Sequence, residues 1–406
     1  MSIGIVYEHA ETDEMGIKAT AKEMGIDLVY FPFRKVCVSI TNDGYQFKTK
    51  GKNYTEALKD IRVVLNRTQS KNRRLYAGSI LEACGKTVIN PLSVEYVCYS
   101  KLRTLLRFWK AGIRIPQTLF IPCDAHDHVS GSDRVIHNEE DIADLIENAL
   151  GQGRVVIKPD AGTHGRMVRL ATNRKELTEL LDETEPSVVN PVGLVAQEFV
   201  DKWFFDLRII VAKKSGSTPY CYPTALARAG FSDFRTNTYL GNMVFGVDLP
   251  REIMDFSVRC GEAVAQDKEA WVLALDAMLN IRKNKSVDDD YVKTRLERLR
   301  EPFQIVKEAK RKKMGMMDFA AWNDELESAY RGYMNSDAYA SVREVIEENI
   351  ERSKHSILFH EANACPEFWE QTRVVAGINI AETLLECAQS VIENPCSDQS
   401  GSYIVE

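Results

Sequence analysis

The sequence predicts an α/β (α+β) protein, and three observations carry that prediction. The chain opens with strand, helix and strand in succession: Ile3 to Tyr7 is apolar and β-branched, helical spacing runs to about Met24, and Asp27 to Phe31 is strand-like again. That succession is the mark of a βαβ unit on a parallel sheet. In the middle, Val155 to Leu170 (VVIKPDAGTHGRMVRL) joins a buried strand to a lysine and a glycine-punctuated loop. Toward the end, residues 282–355 form a charged block with helical spacing.

Composition bounds the function classes. With 406 residues, 44% hydrophobic and 27% charged, the chain is long enough for about two or three domains and has a globular make-up. A net charge of −7 argues against a general nucleic-acid or membrane surface. The nine cysteines are scattered, with no C-x-x-C pair, so neither a zinc site nor a disulfide framework is expected and a reducing cytoplasm fits. The opening MSIGIVYEHAETDE lacks a basic n-region, so no signal peptide is expected. No apolar run reaches the ~20 residues of a membrane helix.

Taken in order, the first hundred or so residues read as one small α/β domain. Val36 to Thr49 is a hairpin about the turn Asn42-Asp43-Gly44. Ile61 to Leu65 is a strand, and Ala77 to Cys84 a helix stopped at Gly85 before the strand Thr87 to Ile89. A G-x-G-x-x-G fingerprint is absent, which argues against a dinucleotide-binding fold. Ser100 to Trp109 is a helix with basic and apolar faces, ended at Gly112 before Ile113-Arg114-Ile115-Pro116 begins an extended segment. On composition alone, a solvated connector helix accounts for Lys101. The polar loop Cys123 to Asp133, with His126, His128 and nearby His137 beside Asp124 and Asp127, admits either plain surface polarity or a metal site. Glu139 to Leu150 is a helix that delivers the chain to Val155.

There, Val155-Val156-Ile157 reads as an interior strand with Lys158 where it ends. Gly162 and Gly165 flank Thr163-His164, so backbone N–H groups can approach an anion with no Cβ in the way. A phosphate cradle follows from this, with a glycine hairpin beside a snorkelling surface lysine as the other reading. The spacing K-P-x-x-G-T-x-G is not the Walker pattern, in which the lysine follows the glycines and opens a helix. Beyond a helix at Lys175 to Asp182, Gly193 to Val200 is an apolar strand interrupted by Gln197-Glu198. Phe205 to Val211 alternates like a strand and carries Asp206 and Arg208. Arg228 and the run Asp233-Phe234-Arg235-Thr236-Asn237 concentrate donors suited to phosphate oxygens.

The ordered set Y-S-K-L-R-T, G-I-x-I-P-x-T, V-I-K-P-x-x-G-T-x-G, Q-E-F-V, D-L-R, D-F-R-T-N and Phe359-His360-Glu361-Ala362-Asn363 resembles the ATP-grasp superfamily, and within it the RimK-like carboxylate–amine ligases. The likeness covers roughly residues 90–282 and 356–390. It implies an ATP-grasp fold: an N-terminal pre-ATP-grasp α/β domain over 1–95, a central subdomain with the glycine-rich loop over 96–200, a C-terminal subdomain over 201–395 containing a helical insertion 282–355, and a tail 396–406. The implied activity is ADP-forming: a substrate carboxylate is activated as an acyl phosphate and joined to an amine, with ATP and Mg2+ or Mn2+. The implied substrates are an amino acid, an acidic peptide or a carrier protein, with no nucleic acid and no membrane. An ATP-grasp phosphotransferase or thiol ligase, and a non-catalytic ATP-binding regulatory protein, share the same nucleotide site.

The resemblance also implies roles. Lys101 and Lys158 hold the ATP phosphates, Gly162, Thr163, His164 and Gly165 close over them, and Glu198, Phe199 and Val200 meet the adenine. Asp206 approaches the ribose or the base edge, and Arg228, Arg235 and Asn237 bind the transferred phosphoryl group. Glu361 and Asn363, two apart on a predicted strand, point to one face, and two oxygen donors on one face suit Mg2+. Asp276 resembles the family's third ligand, while its apolar surroundings also fit a helix-surface carboxylate. Two departures stand out. Leu240 and Asn242 occupy places where members carry a basic residue and a glycine, which leaves the acceptor open. The insertion carries the basic cluster Lys310-Arg311-Lys312-Lys313, either a dock for an acidic partner or a solvated helix end. The insertion as a whole is expected at the mouth of the site, for partner docking or homo-oligomer formation.

Overall fold

The computed structural model describes residues 2–121, 139–162, 167–182, 194–236, 241–281, 284–312 and 318–394. The expected histidine loop, with His126, His128 and His137, and the tail lie outside the described residues.

The N-terminal part runs β1 (Ser2–Tyr7), α1 (Thr12–Glu23), β2 (Asp27–Pro32), the hairpin β3 (Cys37–Thr41) and β4 (Gly44–Lys48), α2 (Thr55–Lys59), β5 (Val63–Arg67), α3 (Lys71–Ala83) and β6 (Thr87–Ile89). Its four-stranded sheet has the order β2-β1-β5-β6, all parallel. Side chains on a strand alternate between faces. Here Ile3, Ile5, Val63 and Leu65 join the main core of the molecule, while Val6 and Val64 build a separate cluster with Phe31, Leu58 and Leu81. Strand β5 begins two residues later than expected and continues through Asn66 and Arg67, both buried. These polar residues are tolerated because Asn66 Nδ2 donates to the Arg74 carbonyl at 2.9 Å and Arg67 meets Asp13 at 3.0 Å and Glu14 at 3.3 Å.

Helices α4 (Leu92–Tyr99) and α5 (Lys101–Lys110) lead to the second unit: β7 (Thr118–Ile121), α6 (Glu139–Leu150), β8 (Val155–Pro159), β9 (Arg169–Ala171), α7 (Arg174–Asp182) and β10 (Leu194–Glu198). Its strands form an antiparallel sheet in the order β7-β10-β8-β9. The unit has its own small core, in which Ile142 and Ile146 of α6 and Leu177 and Leu181 of α7 meet Val155, Ile157 and Ala196.

The third unit runs β11 (Phe205–Lys213), β12 (Tyr220–Ala229), β13 (Met243–Asp248), α8 (Arg251–Ala265) and β14 (Trp271–Leu279). After β14 come α9 (Asp289–Arg298), α10 (Arg300–Arg311), α11 (Phe319–Met334) and α12 (Asp337–Ser353), then β15 (Ile357–Asn363), α13 (Thr372–Ala376) and α14 (Ile380–Glu393). The five-stranded antiparallel sheet has the order β13-β12-β11-β14-β15. Helix α8 covers one face, where Gly261 lies so close to Trp271 that a Cβ would come within 2.5 Å of the ring. Helix α14 packs on α1, β5 and β14 and so ties the third unit to the first. Asn90 reinforces that tie: its amide nitrogen donates to the carbonyls of Val272 at 2.7 Å and Ala364 at 2.5 Å, and its oxygen accepts from Val272 N at 2.8 Å.

The helical block at 282–355 is present, but it is continuous with the main core. Each helix buries a stripe at i, i+3, i+4 spacing, for example Trp322, Leu326, Tyr330 and Tyr333 on α11, and these side chains join the core of the five-stranded sheet. Two of its tyrosines finish the edge strand β13, with the Tyr333 hydroxyl donating to the Val244 carbonyl at 3.0 Å and Gly246 N donating to the Tyr339 hydroxyl at 2.9 Å. The basic cluster, read as either a dock for an acidic partner or a solvated helix end, is divided. Lys310 turns inward to Glu370 at 3.5 Å, Lys312 pairs with Glu325, and Lys313 lies outside the described residues. Among the described residues no helix is long and apolar enough to cross a membrane.

Candidate active site

The face of the five-stranded sheet opposite α8 carries charge. Asp206 and Arg208, two apart on β11, share that face. Asp206 lies opposite Arg228 of β12, Arg208 opposite Asp276 of β14, and Asp276 opposite Glu361 of β15, with Asn363 two residues further on. Sheet register thus aligns residues separated by up to 155 positions in the chain (361 − 206). Between Glu361 and Phe359 the pairing of β14 with β15 slips by one residue, leaving His360 as the extra one. Such a bulge re-aims side chains beside it.

The contacts in this row are short. Arg208 holds Asp276 through a fork, with Nε and Nη2 each 2.9 Å from a carboxylate oxygen, and Arg228 Nη1 approaches the same group at 3.4 Å. Arg228 Nε donates to Asp206 at 2.6 Å, and Lys202 Nζ reaches the other Asp206 oxygen at 3.1 Å beside the Thr236 hydroxyl. Burial pushes both carboxyls up, but the neighbouring guanidinium groups outweigh it and hold Asp206 and Asp276 below the usual carboxylate range. Asp206 was expected at the ribose or base edge. It lines the cavity, and its oxygens accept from Arg228, Lys202 and Thr236.

The second unit supplies the opposite wall. Lys158, at the end of β8, donates to Gln197 Oε1 at 2.8 Å, and Gln197 Nε2 donates to Thr118 at 2.8 Å. Burial, then repulsion from Lys101, pushes the Lys158 ammonium down to about 8. Asp160, just beyond, accepts from Ser100 Oγ at 2.9 Å and from Leu102 N at 2.8 Å, so it caps the start of α5 and fixes Lys101 next to β8. Lys101 Nζ then reaches the Gly162 carbonyl at 3.4 Å. Phe199 stacks under Arg154, whose guanidinium carbon is 4.0 Å from the ring centre, and with Val156, Val168, Val200 and Met278 it makes an apolar wall.

Between these walls lies a cavity of about 550 Å³. Lys101, Lys158, Gly162, Glu198, Phe199, Val200, Asp206, Arg228, Arg235, Asp276, Glu361 and Asn363 all line it. Thr163, His164, Gly165 and Asn237 lie outside the described residues. Arg235 sits at the rim with its side chain 27% exposed, held by Asp233 at 2.6 Å. Asp276 is buried on strand β14, so the helix-surface alternative is set aside.

Asp276, Glu361 and Asn363 fit a divalent metal by donor chemistry. A carboxylate offers about four lone-pair directions, and the arginines leave part of Asp276 free to serve. The buried Nε2 of His360 has no hydrogen-bond partner among the described residues. Burial, then Lys158, pushes its ring down to about 4, so it is a neutral nitrogen beside the carboxylates. A metal ion with its waters suits such a group. Among the described residues no set of three His, Cys, Asp or Glu side chains forms a metal cluster, and the amide of Asn363 would have to add its oxygen to the two carboxylates.

Sequence reasoning missed Lys71, Asp160, Gln197 and Lys202. A lysine at the start of a basic helix carries no local signal, and neither does Lys202, whose partners Asp206 and Thr236 declare themselves only in three dimensions. Asp160 could have been found as an N-cap acting from another segment, but only once β8 and α5 are known to touch.

Residues 128–289 match the family of RimK-like ATP-grasp domains. The alpha-aminoadipate–LysW ligase LysX of Sulfurisphaera tokodaii is 27% identical over 265 residues, which cover 65% of this chain and 81% of that protein. Among solved structures, the macrocyclase MdnC of Microcystis aeruginosa, bound with its precursor peptide MdnA, superposes with a TM-score of 0.54 at 13% identity, covering 97% of this chain and 100% of that one. The D-alanyl-alanine synthetase A of Vibrio cholerae has a TM-score of 0.54 at 10% identity, covering 97% and 99%. These two likenesses are of fold. By its family match the chain carries a RimK-like ATP-grasp domain over residues 128–289, and its curated relatives point to an ATP-dependent carboxylate–amine ligase.

Proposed function

We propose that the cavity binds ATP with Mg2+ and uses it to join an amino acid, or the acidic end of a peptide or carrier protein, to an amine. One observation carries the reading: lysines from the second unit, Lys101 and Lys158, face the oxygen set Asp276, Glu361 and Asn363 of the third across one cavity. In this reading the apolar wall at Phe199 takes the adenine, and Lys101 and Lys158 take the phosphates. Mg2+ held by Asp276, Glu361 and Asn363 would offset phosphate charge. A substrate carboxylate oxygen attacks the γ-phosphorus, and the bond to the bridging oxygen breaks with its electron pair leaving on ADP. The amine then attacks the acyl carbon, phosphate leaves, and the amine nitrogen loses a proton. Arg228, anchored by Asp206, and Arg235 at the rim meet the charge on the transferred group. Free thiols at all seven described cysteines support work in a reducing cytoplasm.

The experiment is ADP release with Mg2+·ATP and a panel of amino acids and acidic peptides, with ammonia, amino acids and a carrier peptide as amines. ADP release that depends on both acid and amine supports the ligase. Tight ATP binding with no ADP from any pair overturns it.

A further inference from the structure

We propose that Lys71, which opens α3 in the N-terminal part, binds the acid: its ammonium meets the negative charge of the substrate carboxylate and of the acyl phosphate made from it. The proposal rests on the ligase reading above. It assigns the first hundred residues a share in the chemistry that their fold alone does not reveal.

Lys71 lines the same cavity as Lys101, Lys158 and Glu361. Its Nζ donates to the Gly162 carbonyl at 3.3 Å, and Lys101 Nζ donates to that same oxygen at 3.4 Å. Two ammonium groups thus converge on one neutral acceptor. Among the described residues neither forms an ion pair with a carboxylate. The next basic residue on this face of α3, Arg74, is already spent on Glu95 at 2.8 Å and the Thr68 carbonyl at 2.8 Å. Burial pushes the Lys71 ammonium down, Glu361 pulls it back up, and Lys101 pushes it down again. Among the described residues, the positive charge on the N-terminal side of the cavity is therefore paired with no carboxylate.

Like charges this close repel, and in a site shielded from water the repulsion is larger than in solution. An arriving anion removes that cost. Lys101 and Lys158 are fixed beside β8, on the nucleotide side, whereas Lys71 approaches from the N-terminal part. Cys365, Pro366, Glu367 and Gln371 of the segment after β15 border the cavity there as well. A carboxylate attacking a phosphate must be brought against another anion, and a cation on the far side of the attacking group screens that approach. Gln371, also on the cavity wall, supplies an amide oxygen for the amino function of an amino-acid substrate.

The test compares the full-length protein with Lys71→Met and Lys71→Arg by calorimetric titration. Mg2+·ADP is titrated first. Acetonylphosphonate, a non-transferable isostere of acetyl phosphate, is then titrated into protein saturated with Mg2+·ADP. Lys71→Met is expected to leave the ADP dissociation constant within about twofold and to weaken acetonylphosphonate by about tenfold or more. It should also raise the Tm of the ligand-free protein, because a repelling charge is gone. Lys71→Arg should keep acetonylphosphonate binding to within about threefold. The proposal is overturned if the unchanged protein does not bind acetonylphosphonate in the presence of ADP. It is equally overturned if Lys71→Met binds it as well as the unchanged protein, loses ADP to the same degree, or melts lower. Failure of the unchanged protein to bind Mg2+·ADP is a separate result and removes the ligase reading itself.

Discussion

Replacing Lys158 with methionine should make the ligand-free protein more stable while ruining its hold on ATP. Lys158 is 6% exposed, its ammonium reaches Gln197 at 2.8 Å and no other hydrogen-bond partner among the described residues, and burial followed by Lys101 lowers its pKa from 10.5 to about 8. Above about pH 8 the folded protein gives up this proton while the unfolded chain keeps it to about 10.5, so stability rises with pH across that window. Below it, the folded state carries the whole cost of the buried charge. At about 1.4 kcal/mol for each pH unit, that cost at neutral pH is about 3 kcal/mol. Methionine keeps the length of the stem and removes the charge, but it strands the Gln197 carbonyl oxygen, which gives back about 1–2 kcal/mol. The expected net gain is about 1–2 kcal/mol at pH 7, and it should vanish by about pH 10, where the lysine of the unchanged protein is already neutral. Urea unfolding without nucleotide at the two pH values measures this, and titration with Mg2+·ATP should show affinity lower by about tenfold or more. A variant less stable by the same amount at both pH values would show that Lys158 is an ordinary structural donor and would refute the reasoning.

Glu361→Ala should cut ADP formation by on the order of 10³-fold while leaving the circular dichroism spectrum unchanged; unaltered turnover removes the metal assignment. Chelation with EDTA should abolish activity in the unchanged protein, and added Mg2+ should restore it; activity that survives chelation counts against the oxygen set. Arg208→Ala leaves the Asp276 carboxylate, 6% exposed, without its fork, so unfolding in urea should show a loss of about 3 kcal/mol. Gly16→Ala would place a Cβ 2.0 Å from the Trp369 indole, which should cost about 1–3 kcal/mol and show as a lower Tm. Tyr339→Phe removes the acceptor for Gly246 N and should cost about 1 kcal/mol by the same measurement.

Elements were legible wherever periodicity is local. The βαβ opening, the hairpin at β3 and β4, the strand carrying Lys158 and the helical character of the insertion follow from spacing and turn residues alone. Strand β5 was displaced because Asn66 and Arg67 look like loop residues until Arg74, Asp13 and Glu14 are seen to satisfy them. Motif order reached the residues around the cavity, yet it could not say what each one touches. Asp206 reads from its neighbours as a free acid, and only the register with β12 reveals that Arg228 occupies it. Lys71 was invisible for the same reason: its relation to Gly162 spans 91 positions and arises from packing between units, on which local pattern is silent. In the basic run, Arg311 and Lys312 are exposed as a solvated helix end requires, whereas the inward turn of Lys310 depends on Glu370, 60 residues away (370 − 310).

The tyrosines that complete β13 have a bearing on self-association. An open strand edge is a template for a second chain, and here one edge of the five-stranded sheet is taken by Tyr333 and Tyr339. At the other edge, Phe359 N of β15 donates to the Arg114 carbonyl at 3.0 Å. With a contact on each flank, growth of a continuous intermolecular sheet from this one is discouraged. Trimming the insertion away to obtain a minimal enzyme would therefore yield a sticky protein, and a shortened form intended for crystallisation should retain α11 and α12.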